Sequence, residues 1–459
     1  MTDKNRFAEF HPVTAKAWKQ KIQYDLKGAD YNEALVWESP EGIKVKPFYN
    51  QEDLAGAPPL DLENTGPWRA VHGLYVGRGT APYKNAVWAL EHGAEGLYLH
   101  IPKNGVSLTA LLPTLPLAQR SLYLDFEEFS LDILPKIRPV LSDSYTKVFL
   151  QADPIGHLAQ TGNWRQSMEN DLSVVVPAMS MGLDHSLSVN GALYGNAGGT
   201  IVQQLAYALG HATEYLHLLD RLGAVEQLKG ITFKMALGGN YFFEIAKIRA
   251  LRWLWHTVAQ SFGTAANCHI LAVPSTRNKT LYAYNVNLLR TTTESMSAVL
   301  GGADAVMNLP YDAVYRKTNA FADRLALNQL LLLKHESHLD KVAHVADGAY
   351  YVEVLTQQLA DKGLQLFKQL EASGGFLKQL KAHKIQQKLK ESAEKEARRY
   401  ANKQVVLVGS NAYRNPTDRM KDTLERYPFV KHKPRKTLIE PIVERRLAET
   451  EEKERLDHE

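Results

Sequence analysis

Residues 186–258 read SLSVNGALYGNAGGTIVQQLAYALGHATEYLHLLDRLGAVEQLKGITFKMALGGNYFFEIAKIRALRWLWHTV. Two short apolar runs, at 186–191 and 231–237, each lead into a long amphipathic stretch. In 201–219, Ile201, Leu205, Ala208, Ala212, Tyr215 and Leu219 recur every three or four positions, which places them on one helix face. In 241–258 the stripe is Phe242, Ile245, Ile248, Leu251, Trp255 and Val258, with Glu244, Lys247, Arg249 and Arg252 lying off it. Strand, helix, strand and helix in that order make the two strands parallel, joined by a right-handed crossover.

Similar apolar runs at 70–76, 96–101, 121–126, 147–152, 268–273 and 303–308 bring the strands to eight. Eight strand–helix units in about 250 residues are the count and length of an α/β protein of the (β/α)8 TIM-barrel type. An open doubly wound sheet would need a Gly-rich phosphate turn near its first strand. The nearest match, Gly77-Arg78-Gly79-Thr80-Ala81-Pro82, puts proline where the third glycine belongs.

The chain has 459 residues, so the barrel leaves a surplus on both sides. Residues 1–66 read as an extended arm, with one amphipathic helix near 15–26 and then turn-rich sequence carrying Gly28, Pro40, Gly42, Pro47, Pro58 and Pro59. The barrel is expected at 67–312. A mainly helical region at 313–459 follows, with helices at 319–336, 355–372 and 376–401, a short strand at 405–408 and a charged helix at 441–459 that packs on a partner or stays in solvent. The basic stretch 381–400 reads as a solvated helix face.

Basic and acidic residues number 54 and 50, a formal +4, which argues against a nucleic-acid partner. Hydrophobic content of 45% and charged content of 23% are those of a globular chain. No apolar run is long enough to span a membrane, and the N-terminus has no signal-peptide pattern, so a cytoplasmic location is expected. The one cysteine, Cys268, excludes an internal disulfide and any multi-cysteine metal centre, and reads as a small apolar strand residue.

Barrel chemistry sits where strands end at the C-terminal face. The residues there are His72, His100, Asp125 with Glu127 and Glu128, Asp153, Tyr194, Asn196, Gly238-Gly239-Asn240, residues 275–278 and Asn308. They form no familiar constellation, and the acidic run at 125–128 reads as helix-start chemistry. His335-Glu336-Ser337-His338 is one residue short of a zinc H-E-x-x-H, with Leu339 where the second ligand belongs. No metal site is expected. The loop Gly195-Asn196-Ala197-Gly198-Gly199 leaves the fifth strand for a helix; it reads as a tight turn, with an anion cradle as the alternative.

Five stretches nevertheless resemble one family, the adenosylcobalamin-dependent methylmalonyl-CoA mutases. They are Asp25-Leu26-Lys27-Gly28 with Glu41-Gly42-Ile43 and Lys46-Pro47-Phe48-Tyr49 in the arm; Glu244-Ile245-Ala246-Lys247-Ile248-Arg249-Ala250 with Arg252 and Trp255; Arg290-Thr291-Thr292-Thr293-Glu294 with Gly301-Gly302-Ala303-Asp304; Ala349-Tyr350-Tyr351-Val352-Glu353 with Thr356; and Gly374-Gly375-Phe376. The resemblance runs from about Trp18 to Arg414.

The departures are as informative. The family's catalytic chains carry a cobalt-ligating D-x-H-x-x-G in an appended cobalamin domain, and the motif is absent from this sequence. At the fifth strand those chains present a Tyr-His pair that seats the acyl thioester. Here the matching positions are Ala192 and Leu193, neither of which donates a hydrogen bond or moves a proton. The resemblance therefore implies a non-catalytic small subunit of a heterodimeric mutase interconverting methylmalonyl-CoA and succinyl-CoA in propionate metabolism. It would bind no cofactor itself, would have a large catalytic subunit as partner carrying adenosylcobalamin, and would stabilise that subunit. Trp18, Ile22, Leu26, Tyr31 and Tyr49 of the arm are the expected interface. The alternatives are an autonomous barrel enzyme binding acyl-CoA with His72, Tyr194 and Asn196 at its mouth, or a mutase-associated binding protein.

Overall fold

The computed structural model describes residues 9–54, 66–135 and 147–459, apart from Pro12, Val106, Ser130, Leu134, Asp184, His432 and Lys433. The eight expected strands are all present: β1 (Arg69–Tyr75), β2 (Gly96–Ile101), β3 (Ser121–Phe126), β4 (Lys147–Leu150), β5 (Leu187–Asn190), β6 (Gly230–Leu237), β7 (Asn267–Pro274) and β8 (Ala305–Met307). They pair in parallel in the order β4-β3-β2-β1-β8-β7-β6-β5. The remaining seam is closed by a parallel bridge between Phe149 and His185, so the sheet is a barrel.

The principal helices are α1 (Ala15–Asp25), α2 (Ala81–Glu91), α3 (Pro154–Thr161), α4 (Ile201–Arg221), α5 (Tyr241–Ser261), α6 (Val286–Leu300), α7 (Ala320–Leu331), α8 (Tyr350–Ala372), α9 (Phe376–Lys381), α10 (Lys384–Ala401) and α11 (Glu449–Asp457). Helix α4 starts on a capping box: the Thr200 hydroxyl accepts from the Gln203 amide and the Gln203 carboxamide accepts from the Thr200 amide. Its whole predicted stripe is buried. Helix α7 follows β8 and packs on β1 and α6, completing the helical ring.

Alternation along the strands sorts two cores. Leu97 and Leu99 of β2 face the helices, while Tyr98 faces the barrel axis with Val71, Tyr123, Phe149, Leu271 and Ala305. The axis is filled by rings. Tyr123 stacks on Phe149 at 4.7 Å, Phe149 stacks on His269 at 4.1 Å, and the Tyr123 hydroxyl lies 2.8 Å from His269 Nε2. Cys268, on the opposite face of β7, is buried as a small packing residue.

Helix α5 corrects the periodicity reading. Its off-stripe charges are buried, at 4% exposure for Glu244, 0% for Lys247, 1% for Arg249 and 5% for Arg252, whereas Phe242 of the stripe is 46% exposed. The cause is a second helical layer: α8 lies against both α4 and α5, so α5 has no solvent face along most of its length. Lys247 pairs with Glu244 and donates to the Ala236 carbonyl; Arg249 pairs with Asp347 and, at 2.8 Å, with Glu353. Arg252 donates to the carbonyls of Cys268 and Gly302 at 2.6 and 2.8 Å and to Asp304 at 2.9 Å.

The C-terminal region differs from expectation in three places. The helix expected at 376–401 is broken between α9 and α10, where His383 takes a left-handed φ of 60°. No strand forms at 405–408, which carries only an isolated bridge from Val408 to Ala412. The charged helix is limited to Glu449–Asp457, and the tail packs on its own chain. Arg446, Glu449 and Glu452 are buried there. Arg446 pairs with Glu452 and donates to the Lys279 carbonyl at 3.2 Å; Glu452 accepts from the Leu281 amide at 2.7 Å, and Glu449 from the Val430 amide at 2.7 Å. A charged segment expected on a partner or in solvent is here paired and covered within its own chain.

Candidate functional site at the barrel mouth

The C-terminal strand ends define the mouth. Register places Tyr75 beside His100 and His100 beside Asp125, and across the barrel places Asn190 beside Lys234. Lys234 Nζ donates to the Tyr98 hydroxyl at 3.1 Å, and that hydroxyl donates to Asp125 Oδ2 at 2.8 Å. His100 Nδ1 sits 3.0 Å from the same oxygen, and Tyr75 stacks on the His100 ring at 5.6 Å. Burial by itself would raise the Asp125 carboxyl, but the hydrogen bond from His100, the charge of Lys234 and the hydrogen bond from Tyr98 hold it below the usual carboxylate range. Lys234 and Tyr98 were not singled out from sequence, although a lysine at an inward position of an apolar strand was the available signal.

The three proposed mouth residues separate. His72 is on the helix-facing side of β1, with Trp88 of α2 against it at 6.0 Å, and burial pulls its pKa down to about 4. Tyr194 also faces the helices: its hydroxyl is 2.9 Å from His211 Nδ1, while His211 Nε2 is 2.8 Å from Asp153. Neither reaches the mouth, because strand alternation and the short helix Ala192–Asn196 turn them outward. Asn196 does lie at the strand ends. Its Oδ1 accepts from Ser275 Oγ at 2.8 Å and from the Thr276 amide at 3.0 Å, and its Nδ2 donates to Glu444 at 3.3 Å.

Ala192 faces the axis and packs with Ala236, Val273 and Met307, while Leu193 is fully buried in the main core under the helices. Asp153 belongs to the buried cluster, taking hydrogen bonds from Tyr215 at 2.7 Å and from the Asn190 amide at 2.8 Å. Asn308 donates to the Ala326 carbonyl at 3.0 Å, and Asn278 to Glu294 at 2.6 Å. Among the described residues no group of three His, Cys, Asp or Glu could hold a metal ion.

The glycine turn after β5 is a packing device. A Cβ on Gly198, whose φ is +92°, would stand 2.6 Å from Ala393 Cβ, so α10 lies directly on the turn. The amides at the start of α4 are occupied: Ile201 and Val202 donate to the two oxygens of Glu41 at 2.9 and 3.0 Å. An arm carboxylate thus fills the place considered for an anion.

The tail crosses the same face as a strap. The Ile442 amide donates to the Ala159 carbonyl at 2.8 Å, that of Arg445 to Asn196 at 3.2 Å and that of Leu447 to Arg277 at 2.7 Å, so it ties α3 to the loops after β5 and β7. Burial raises the Glu444 carboxyl, opposed by Asn196 and Lys234.

The arm residues are placed variously. Trp18 is half exposed and stacks on Phe48 at 4.4 Å. Ile22, Leu26 and Tyr49 are partly covered, the last packing on Tyr351 at 5.5 Å. Tyr31 is buried in its own chain, beneath Lys19 at 4.6 Å.

The model for the family described as methylmalonyl-CoA mutase matches residues 141–457. The chain belongs to the methylmalonyl-CoA mutase family. Within it, the methylmalonyl-CoA mutase small subunit of Porphyromonas gingivalis is 33% identical, over 90% of this chain and 71% of that protein. The small subunit of Streptomyces virginiae is 30% identical over 90% of this chain and 72% of its own length. The large subunit of Porphyromonas gingivalis is 26% identical, over 85% of this chain and 62% of its own. The small-subunit relatives agree with the mutase resemblance. Among the described residues of this mutase-family chain no helix is long and apolar enough to cross a membrane.

Proposed function

We propose that the chain is the non-catalytic small subunit of a heterodimeric, adenosylcobalamin-dependent methylmalonyl-CoA mutase. The observation that carries this reading is the state of the two positions matching the family's Tyr-His pair: one is alanine on the barrel axis and the other is leucine sealed in the core. The stacked rings of Tyr123, Phe149 and His269 fill the axis along which an acyl chain would have to lie, and the strap at 442–447 lies over part of the face a corrin would have to approach. The residues here do not fit the cofactor, which is assigned to the large subunit. This subunit then contributes stability and surface, in the cytoplasm and in propionate metabolism.

Mixing the chain with a methylmalonyl-CoA mutase large subunit tests this. A 1:1 complex burying a standard or larger interface is expected, with turnover dependent on the large subunit and no cobalamin retained by the small chain alone. Trp18→Ala is expected to weaken the complex roughly 30-fold, as a hot-spot aromatic does, while leaving the melting temperature of the isolated chain nearly unchanged. Turnover by this chain alone, or failure to associate, would overturn the proposal. Leu193→His is expected to give no mutase activity and to cost about 2–4 kcal/mol in urea unfolding, since an imidazole replaces a methyl-bearing side chain in a dry core. Measurable turnover in that variant would refute the loss-of-site argument.

A further inference from the structure

Beside the mouth, where β3 and β4 end, lies a cavity of about 340 Å³ whose lining includes the apolar Phe126, Phe129 and Val174, the polar Arg165 and Gln166, and the carboxylates Asp153 and Asp171. Its volume falls in the range of small-molecule sites, and a lining that combines apolar and aromatic side chains with a few polar groups is what such sites share. The two rings are tilted against each other at 5.6 Å.

Arg165 is the distinctive group. A guanidinium has five N–H donors in a rigid fork, and one of them reaches the Phe126 carbonyl at 2.9 Å. Desolvation by nearby atoms pulls its pKa below the usual arginine value, although the residue as a whole is exposed, and it is not ion-paired among the described residues. The acidic groups that surround it, Asp171, Asp125, Asp153 and Glu128, are each committed elsewhere. Asp171 accepts the amides of Arg165 and Gln166 at 2.7 and 3.1 Å. Asp125 holds His100 and Tyr98, Asp153 holds His211 and Tyr215, and Glu128 pairs with Lys103 at 2.7 Å. What remains is an exposed cation with unspent donors, next to three carboxamides and two aromatic rings, in a lining where the Asp153 and Asp171 carboxylates already hold other partners.

We infer that this cavity binds a small monocarboxylate with a compact apolar body, its carboxylate on the Arg165 fork and its apolar part against Phe126, Phe129 and Val174. The fork matches a carboxylate in two parallel hydrogen bonds, and the neighbouring carboxamides complete its shell. The site is independent of the mutase positions Ala192 and Leu193, so it stands or falls apart from the proposed function.

Isothermal titration of the full 459-residue chain with benzoate, inorganic phosphate and benzyl alcohol tests the inference. Benzoate is expected to bind one-to-one, with phosphate and benzyl alcohol much weaker. Arg165→Met should weaken benzoate about 10- to 100-fold, the range for losing a charge-assisted pair of hydrogen bonds, and Arg165→Lys should weaken it less. Ser173→Phe, placed at the exposed rim of the cavity, should block benzoate while leaving Arg165 and its Phe126 contact in place, so a folding defect in Arg165→Met does not remove the test. Phosphate binding in preference to benzoate, benzoate binding unaffected by either Arg165→Met or Ser173→Phe, or no binding of any probe would each overturn the assignment.

Discussion

Replacing Asp304 by alanine is expected to destabilise the chain by about 3–5 kcal/mol, read as a lower urea midpoint with an unchanged slope. Asp304 sits just before β8 and ties three elements together. Its side chain accepts from Arg252 of α5 at 2.9 Å and from the Ile270 amide of β7 at 2.6 Å, and its backbone carbonyl accepts from the Arg69 amide of β1 at 3.0 Å. Burial would raise its carboxyl, but the Arg252 charge, His269 and the Ile270 amide together hold it below the usual range. Removing it takes the Asp304 countercharge away from Arg252, whose bonds to the Cys268 and Gly302 carbonyls carry no charge. Loss of one partner of a buried pair costs more than the pair contributes, because the remaining charge stays desolvated. The double variant Asp304→Leu with Arg252→Met should therefore recover most of the loss, a coupling that a double-mutant cycle measures. A cost below about 1 kcal/mol for the single change would show that water reaches Arg252 and that the site is not dry.

The same residues mark what the sequence made legible. Strands were readable because each is a short apolar run, and a barrel strand buried on both faces needs no polar alternation; β2 and β3 start and stop as expected. Periodicity failed for Lys247, Arg249 and Arg252 because it sorts residues by hydropathy, and nothing in 241–258 announces that α8 will cover the polar side of α5. The tail failed for the same reason: Arg446 and Glu452 are six positions apart and meet only because the chain turns before α11. At the mouth, sequence gave strand ends but not facing. Ala192 and Leu193 are neighbours, yet one lines the axis and the other the helix layer. His72 and Tyr194 were placed at the mouth by their position along the strand, while their direction across it sends them outward. Arg165 lay in no motif, and its importance rests on which carboxylates are already committed.

Acid is expected to destabilise the chain in a defined window, from about pH 6.5 down to about pH 4, through His72 and His269. Both are held neutral by burial, each with a pKa of about 4 against an ordinary value of 6.5. A base whose folded pKa is depressed leaves the unfolded chain binding protons first as pH falls. Its stabilising contribution is therefore complete above pH 6.5, declines through the window and is lost by about pH 4, amounting to about 3 kcal/mol per histidine. The two sites differ in context. His269 is committed to the axis, stacked on Phe149 and hydrogen-bonded with Tyr123, so changing it disturbs the barrel interior. His72 is buried with its Nε2 lacking a hydrogen-bond partner, which makes it the cleaner probe. His72→Phe keeps a ring against Trp88 and removes an unsatisfied polar atom. At pH 7 it should be neutral to stabilising by about 1 kcal/mol, and between pH 6.5 and 4 it should abolish roughly half of the histidine-linked decline. Urea unfolding at half-unit pH steps reads both effects. If His72→Phe follows the parent curve in parallel from pH 6.5 to 4, His72 takes up its proton without unfolding, and the burial argument for this side of β1 fails.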